Sequence, residues 1–238
     1  MTEFGKSRRP TIQMLYKIKE SSVDITNAVG NWITSNLGDL EIIKFLGKGK
    51  SGYSYLAQHS DHQYVVKLMH DEPCAYYSFG DANKVELEVS AYKILENAGI
   101  KIPKLLDVNV ENNYLIKEYI DGDLVTDLIV NDSLPYSCVE QVCSMSVVLK
   151  SLDLNIDYFP DNFVLNNDIL YYVDYEHNQY DAKWDLANWG LYYWANSTGM
   201  KAYRETKDPT QINECANSGV PIKQPFADTV NSWVKTYC

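Results

Sequence analysis

Along the chain, apolar positions fall into two regimes. From Glu41 to Ile120 short apolar runs alternate with polar residues and turn signals, which is the period of strands. EIIKFLG (41–47), YSYLAQHS (53–60) and QYVVKLMH (63–70) read as three strands, the last two joined by a turn around Asp61 and His62. Lys84 to Asn97 has helical period and is followed by Ala98-Gly99, a glycine suited to a helix C-terminus. Pro103 opens an extended stretch, NYLIKEYI (113–120) is a further strand, and Asp121-Gly122 closes it with a turn. Beyond Gly122 the period changes. Pro135 to Leu152 carries Val139, Val142 and Leu149 at helical spacing, and FVLNNDILYYVDYE (163–176) reads as a hairpin turning at Asn166-Asn167-Asp168. From Trp184 the pattern is helical to the end, interrupted near Gly199 and Pro221, and Thr11 to Leu37 also looks helical, with a break near Gly30. The expected fold class is therefore α+β. Residues 1–40 form an N-terminal helical segment, 41–121 an antiparallel sheet with one helix, and 122–238 a mainly helical part.

Composition narrows the function classes. The chain has 238 residues, 45% of them apolar, so it can bury a core without disulfides or a structural metal. The net charge of −11 and the lack of a basic face argue against binding nucleic acid. The five cysteines (74, 138, 143, 215 and 238) match no zinc or CxxC pattern and are expected as reduced thiols in a cytoplasmic protein. The start, MTEFGKSRRP, has no apolar stretch behind its basic residues, so no signal peptide is expected. No run approaches about 18 apolar residues, so no membrane insertion is expected either.

Several residues then fall into a pattern. Gly47, Gly49 and Gly52 have GxGxxG spacing between two predicted strands, not between a strand and a helix. That setting argues against a dinucleotide fold and for a flap over phosphates, whose backbone N–H groups approach unhindered by a Cβ; a plain tight hairpin is the alternative. Lys67 ends an apolar strand and needs an anionic partner. On the helix 84–97, Glu88 shares a face with Val85, Ala91, Tyr92 and Leu95, whereas Glu86 lies with Ser90, Lys93 and Asn97, so Glu88 is the carboxylate aimed inward. Asp157, Asn162 and Asp174 follow, the hairpin bringing the last two together. Asn162 and Asp174 are hard oxygen ligands for Mg²⁺, and Asp157 can orient a hydroxyl and take its proton.

The ordered set GxGxxG, Lys67, Glu88, Asp157-x-x-x-x-Asn162 and Asp174 resembles the protein-kinase-like superfamily. DNF, VDYE and WDLANWGLYYW are similar to the aminoglycoside phosphotransferase and choline/ethanolamine kinase group. The resemblance implies a bilobal fold with ATP between the lobes, Glu118 and Ile120 of the hinge Glu118-Tyr119-Ile120 at the nucleotide, and a hydroxyl acceptor. It also implies that Asp185 braces the catalytic loop, although Asp185 can equally be a helix cap. Two positions depart from the pattern: Asn155 stands where the family has His, and Lys117 where an apolar residue is usual against the adenine pocket. Lys117 could reach a phosphate, pair with a carboxylate or alter nucleotide choice. The aromatic segment Trp184–Trp194 could hold a cationic head group or simply be core. The leading expectation is an ATP- and Mg²⁺-dependent kinase of a small, cationic, hydroxylated molecule. A nucleotide-binding pseudokinase acting as an interaction module and a compact protein kinase are the alternatives. The short interval between Asp174 and Asp185 leaves little platform for a peptide.

Overall fold

The structure, a computed structural model, describes residues 27–73 and 79–238. Its first part is one antiparallel six-stranded sheet. The strands are β1 (Trp32–Ser35), β2 (Gly38–Lys48), β3 (Gly52–His59), β4 (His62–Met69), β5 (Leu105–Asn109) and β6 (Tyr114–Glu118). Their spatial order is β1-β2-β3-β4-β6-β5. Between β4 and β5 the chain forms helix α1 (Lys84–Asn97), which begins where Asn83 Oδ1 accepts the Glu86 N–H and ends at Gly99, at φ +75°.

The expected N-terminal helix is corrected where it is described. Residues 1–26 lie outside the described residues, but Trp32–Ser35 is a strand, and the sheet begins well before residue 41. WITSNLGDL is a hairpin: Ser35 pairs with Gly38, whose φ of +105° an L side chain rarely adopts. The Asn36 backbone and side-chain N–H groups both donate to Asp107, at 3.1 and 2.7 Å, fastening this hairpin to β5.

The second part contains β7 (Asp123–Leu124), α2 (Val125–Val130), α3 (Tyr136–Ser151), β8 (Leu154–Asn155), β9 (Phe163–Asn166), β10 (Ile169–Tyr172), β11 (Asn178–Gln179), α4 (Leu191–Ala195), α5 (Ser197–Thr206) and α6 (Ala227–Tyr237). The hairpin β9–β10 turns through Asn167 and Asp168, both at positive φ, and β9 also pairs with β7. The helical break expected near Gly199 falls at Asn196, between α4 and α5. Gly199 lies inside α5, and its N–H is capped by Asn196 Oδ1 at 2.8 Å.

Two hydrophobic clusters match the two parts. One lies in the sheet around Leu40, Ile42, Tyr55, Val66 and Ile116; the larger joins α1 to the helices around Val142, Leu149, Phe163, Tyr172 and Trp194. The molecule is thus α+β with a two-part core. Among the described residues no helix is long and apolar enough to cross a membrane.

The thiol expectation is also corrected. Packing of α3 against α6 brings Cys143 and Cys238 to a Cα–Cα distance of 5.0 Å, and they are disulfide-bonded. Their separation of 95 residues hid this from the sequence pattern. Cys138 and Cys215 are free thiols, and Cys74 lies outside the described residues.

Candidate functional site

Strand β4 carries Lys67 opposite Leu115 of β6, and Val65 opposite Lys117, so the two lysines share one sheet face. Both are buried. Across from them α1 buries Val85, Glu88, Ala91 and Leu95, one stripe at helical period, while Glu86 is exposed. Lys67 Nζ lies 2.5 Å from Glu88 Oε1 and 3.2 Å from Asp174 Oδ1. Burial opposes a charge on Lys67, but the Asp174 and Glu88 carboxylates outweigh it and hold its pKa above the ordinary value. The same logic applies to Asp174, where burial is outweighed by Lys67 and Lys117 and the pKa is lowered. Sequence reasoning missed Ser51 of the glycine-rich turn, whose hydroxyl donates to Glu88 Oε1 at 2.7 Å. A polar residue between the glycines was its only signal.

The second part supplies the other groups. A 3₁₀ turn, Pro160–Asn162, leads into β9, and the Val173 N–H donates to the Asn162 carbonyl at 2.9 Å. Asn162 therefore stands across the hairpin from the residue preceding Asp174. The Asn162 side-chain nitrogen donates to the Asp157 carbonyl at 3.2 Å, which leaves the amide oxygen outside that bond. Among the described residues no three His, Cys, Asp or Glu side chains gather as a metal cage. One amide and one carboxylate oxygen nonetheless fit Mg²⁺, which usually arrives with waters and phosphate oxygens filling most of its sphere.

Asp157 Oδ1 accepts the Phe159 N–H at 3.0 Å. Burial, with Glu176 and Asp174 close by, outweighs that bond and raises its pKa to about 6. Asn155 is a brace: its backbone pairs with Asn178, and its side chain donates to the Asp181 carbonyl at 2.9 Å. Asp185 accepts the Asn188 N–H at 2.7 Å as a cap and the Tyr180 hydroxyl at 3.0 Å. Through Tyr180, whose N–H donates to the Asp153 carbonyl, it is tied to the turn between α3 and β8, just ahead of the 155–162 loop.

Of the three glycines, Gly52 is the one that packing requires. A Cβ there would come within 2.6 Å of the Leu68 carbonyl oxygen, whereas one at Gly47 meets nothing within 4 Å and one at Gly49 makes ordinary contact. Gly52→Ala should therefore lower the unfolding midpoint by an amount equivalent to about 1–3 kcal/mol, and Gly47→Ala by a few tenths. Equal effects in parallel thermal melts would contradict this. Lys50, on the same turn, forms an ion pair with Glu176 across the molecule.

These groups converge on a cleft of about 780 Å³ lined by Gly47, Gly49, Lys67, Lys117, Asn162 and Asp174, with Glu118 and Ile120 at the connection between the two parts. Of the remaining expected site residues, Gly52 and Glu88 support this lining from behind, and Asp157 stands beside Asn162 without joining it. The aromatic segment is largely core. Tyr192, Tyr193 and Trp194 are buried, Lys223 lies over the Tyr192 ring at 5.1 Å, and Lys183 lies over Trp184 at 4.6 Å. No family model matches the chain, and no curated protein matches it.

Proposed function

We propose that this protein is a small-molecule kinase. It would transfer the terminal phosphoryl group of a Mg²⁺-bound nucleoside triphosphate, ATP on the family resemblance, to an alcohol. The observation that carries this reading is Lys67 held between Glu88 and Asp174, with Asn162 set across the hairpin beside Asp174 on the wall of one cleft. Such a lysine is a fixed cation for phosphate oxygens, and placement with charge neutralisation is most of what phosphoryl transfer needs. When bound, Mg²⁺ would neutralise phosphate charge; the Asn162 amide oxygen and the Asp174 carboxylate would hold it. Asp157 takes the proton of the attacking hydroxyl as the new P–O bond forms and the nucleoside diphosphate leaves.

The acceptor is a small hydroxylated molecule. The acidity of the chain and the Asp157 carboxylate, which has no ion pair with a lysine or arginine among the described residues, favour one carrying positive charge, choline-, ethanolamine- or aminoglycoside-like. The aromatic segment adds nothing to that choice, because its rings pack in the core or against the protein's own lysines.

The test is a nucleotide-binding melt with and without Mg²⁺, followed by a nucleoside-diphosphate-release screen over amino alcohols, aminoglycosides and sugars. Mg²⁺-dependent stabilisation of about 2–3 kcal/mol at 100-fold excess over Kd is expected, together with release on at least one acceptor. Stabilisation indifferent to Mg²⁺, with no release, would favour the binding module; phosphorylation of added casein-like proteins alone would favour a protein kinase.

A further inference from the structure

Lys117 is a buried cation that the proposed transfer chemistry leaves unassigned. Its ammonium donates to the Val173 carbonyl and lies 4.7 Å from the centroid of the Tyr175 ring. It lines the cleft beside Glu118–Ile120, and Val65, its partner across the sheet, and the paired residues Leu124 and Val164 line the same cleft. The phosphate-binding groups Lys67, Gly47 and Asp174 line the same cleft, with Lys67 separated from Lys117 by one residue pair along the sheet. With its phosphates at Lys67, a nucleotide laid along this wall would meet Val65, Leu124 and Val164 with its base and Lys117 with an edge of that base.

An ammonium has three donors and no acceptor. One donor is used on Val173. Burial and the neighbouring Lys67 lower the Lys117 pKa to about 8, so at pH 7 it is still mostly charged and short of acceptors. The 6,7 edge of guanine or hypoxanthine offers two acceptors, O6 and N7. Adenine offers N7 beside an amino group that is itself a donor.

We propose that Lys117 makes this site select a 6-oxopurine nucleotide, of guanine or hypoxanthine, over an adenine nucleotide. The proposal rests on the kinase reading and replaces ATP by GTP as the preferred donor. A cation facing O6 and N7 discriminates by about 10- to 100-fold in other recognition settings.

The experiment is calorimetric titration of the full chain with Mg²⁺-GTP, Mg²⁺-ITP and Mg²⁺-ATP. ITP differs from ATP only at the 6-position and the N1 proton that goes with it, so it isolates the edge in question. GTP and ITP are expected to bind about tenfold or more tighter than ATP, and Lys117→Met should reduce the gap to about threefold or less. Lys117→Arg, which keeps a donor, should retain the preference. ATP binding as tightly as ITP would overturn the proposal while leaving the kinase reading standing. Failure of all three to bind would overturn both. A preference unchanged in Lys117→Met would make Lys117 a strut for Val173 alone and overturn the proposal. If Lys117→Met does not fold, the wild-type ITP-to-ATP ratio decides by itself.

Discussion

Lys67→Met is expected to destabilise the fold by about 3–5 kcal/mol and to abolish turnover. The residue is buried, and one ammonium serves two carboxylates, Glu88 at 2.5 Å and Asp174 at 3.2 Å. Removing it leaves the buried Glu88 without its ion-pair partner and Asp174 with only the more distant charge of Lys117. Glu88 Oε2 already lacks a hydrogen-bond partner, so the ion pair is its main compensation. Urea unfolding at pH 7 measures the loss. The double variant Lys67→Met/Glu88→Gln should recover part of that stability, because it removes one orphaned charge, while turnover stays absent. That split separates the structural role of the lysine from its role toward phosphate.

The pH dependence follows from Asp174. In the wild type its pKa lies below the unfolded value of 3.8, so its contribution is present above that value and lost as pH falls through the folded one. In Lys67→Met the burial remains and the chief opposing cation is gone, so the acid pKa rises. Acidification should then relieve the variant where it weakens the wild type. An unchanged acid limb, or wild-type stability in the single variant, would remove Lys67 from the centre of the site.

Local signals made much of this legible. Helix α1 has the predicted bounds because period and Gly99 are short-range signals; the Asn83 cap that starts it emerges only in the structure. Period alone separated Glu88 from Glu86. The facing positions of Asn162 and the Asp174 strand end were readable because a tight hairpin fixes register within a dozen residues. The unread parts are long-range or ambiguous. Ser51 meets Glu88 across 37 residues, Lys50 meets Glu176 across 126, and Cys143 meets Cys238 across 95, none of them marked by spacing. Strand β1 is four residues long, too short for alternation to outweigh a helical pattern running into it. The aromatic run Trp184–Trp194 has a composition that suits a cation site and a core equally, and only packing decides between them. Lys117 looked out of place because its acceptor, the Val173 carbonyl, is a backbone atom that no side-chain motif records.

Asp157→Asn should lower turnover by about 10²–10⁴ and, at pH 7–8, make the protein more stable. The first effect is the loss of the proton acceptor, measured with any acceptor that supports nucleoside-diphosphate release in the wild type. The second has an independent origin. Burial, aided by Glu176 and Asp174, lifts the Asp157 pKa from 3.8 unfolded to about 6 folded. The folded state therefore binds the extra proton between about pH 4 and 6, and stability falls as pH rises through that window. Above it the wild type carries the full cost of a desolvated carboxylate, on the order of 1–3 kcal/mol. Asparagine removes the charge and keeps an oxygen to accept the Phe159 N–H. Thermal melts should thus show the variant above the wild type at pH 8 and the two converging toward pH 4, where the wild-type acid is itself neutral. A carboxylate that stays ionised at pH 7–8 at a cost to the fold is what a proton acceptor requires, and a purely structural aspartate gains nothing from it. Coincident melting curves across that range, or wild-type turnover in the variant, would return Asp157 to the role of a loop residue.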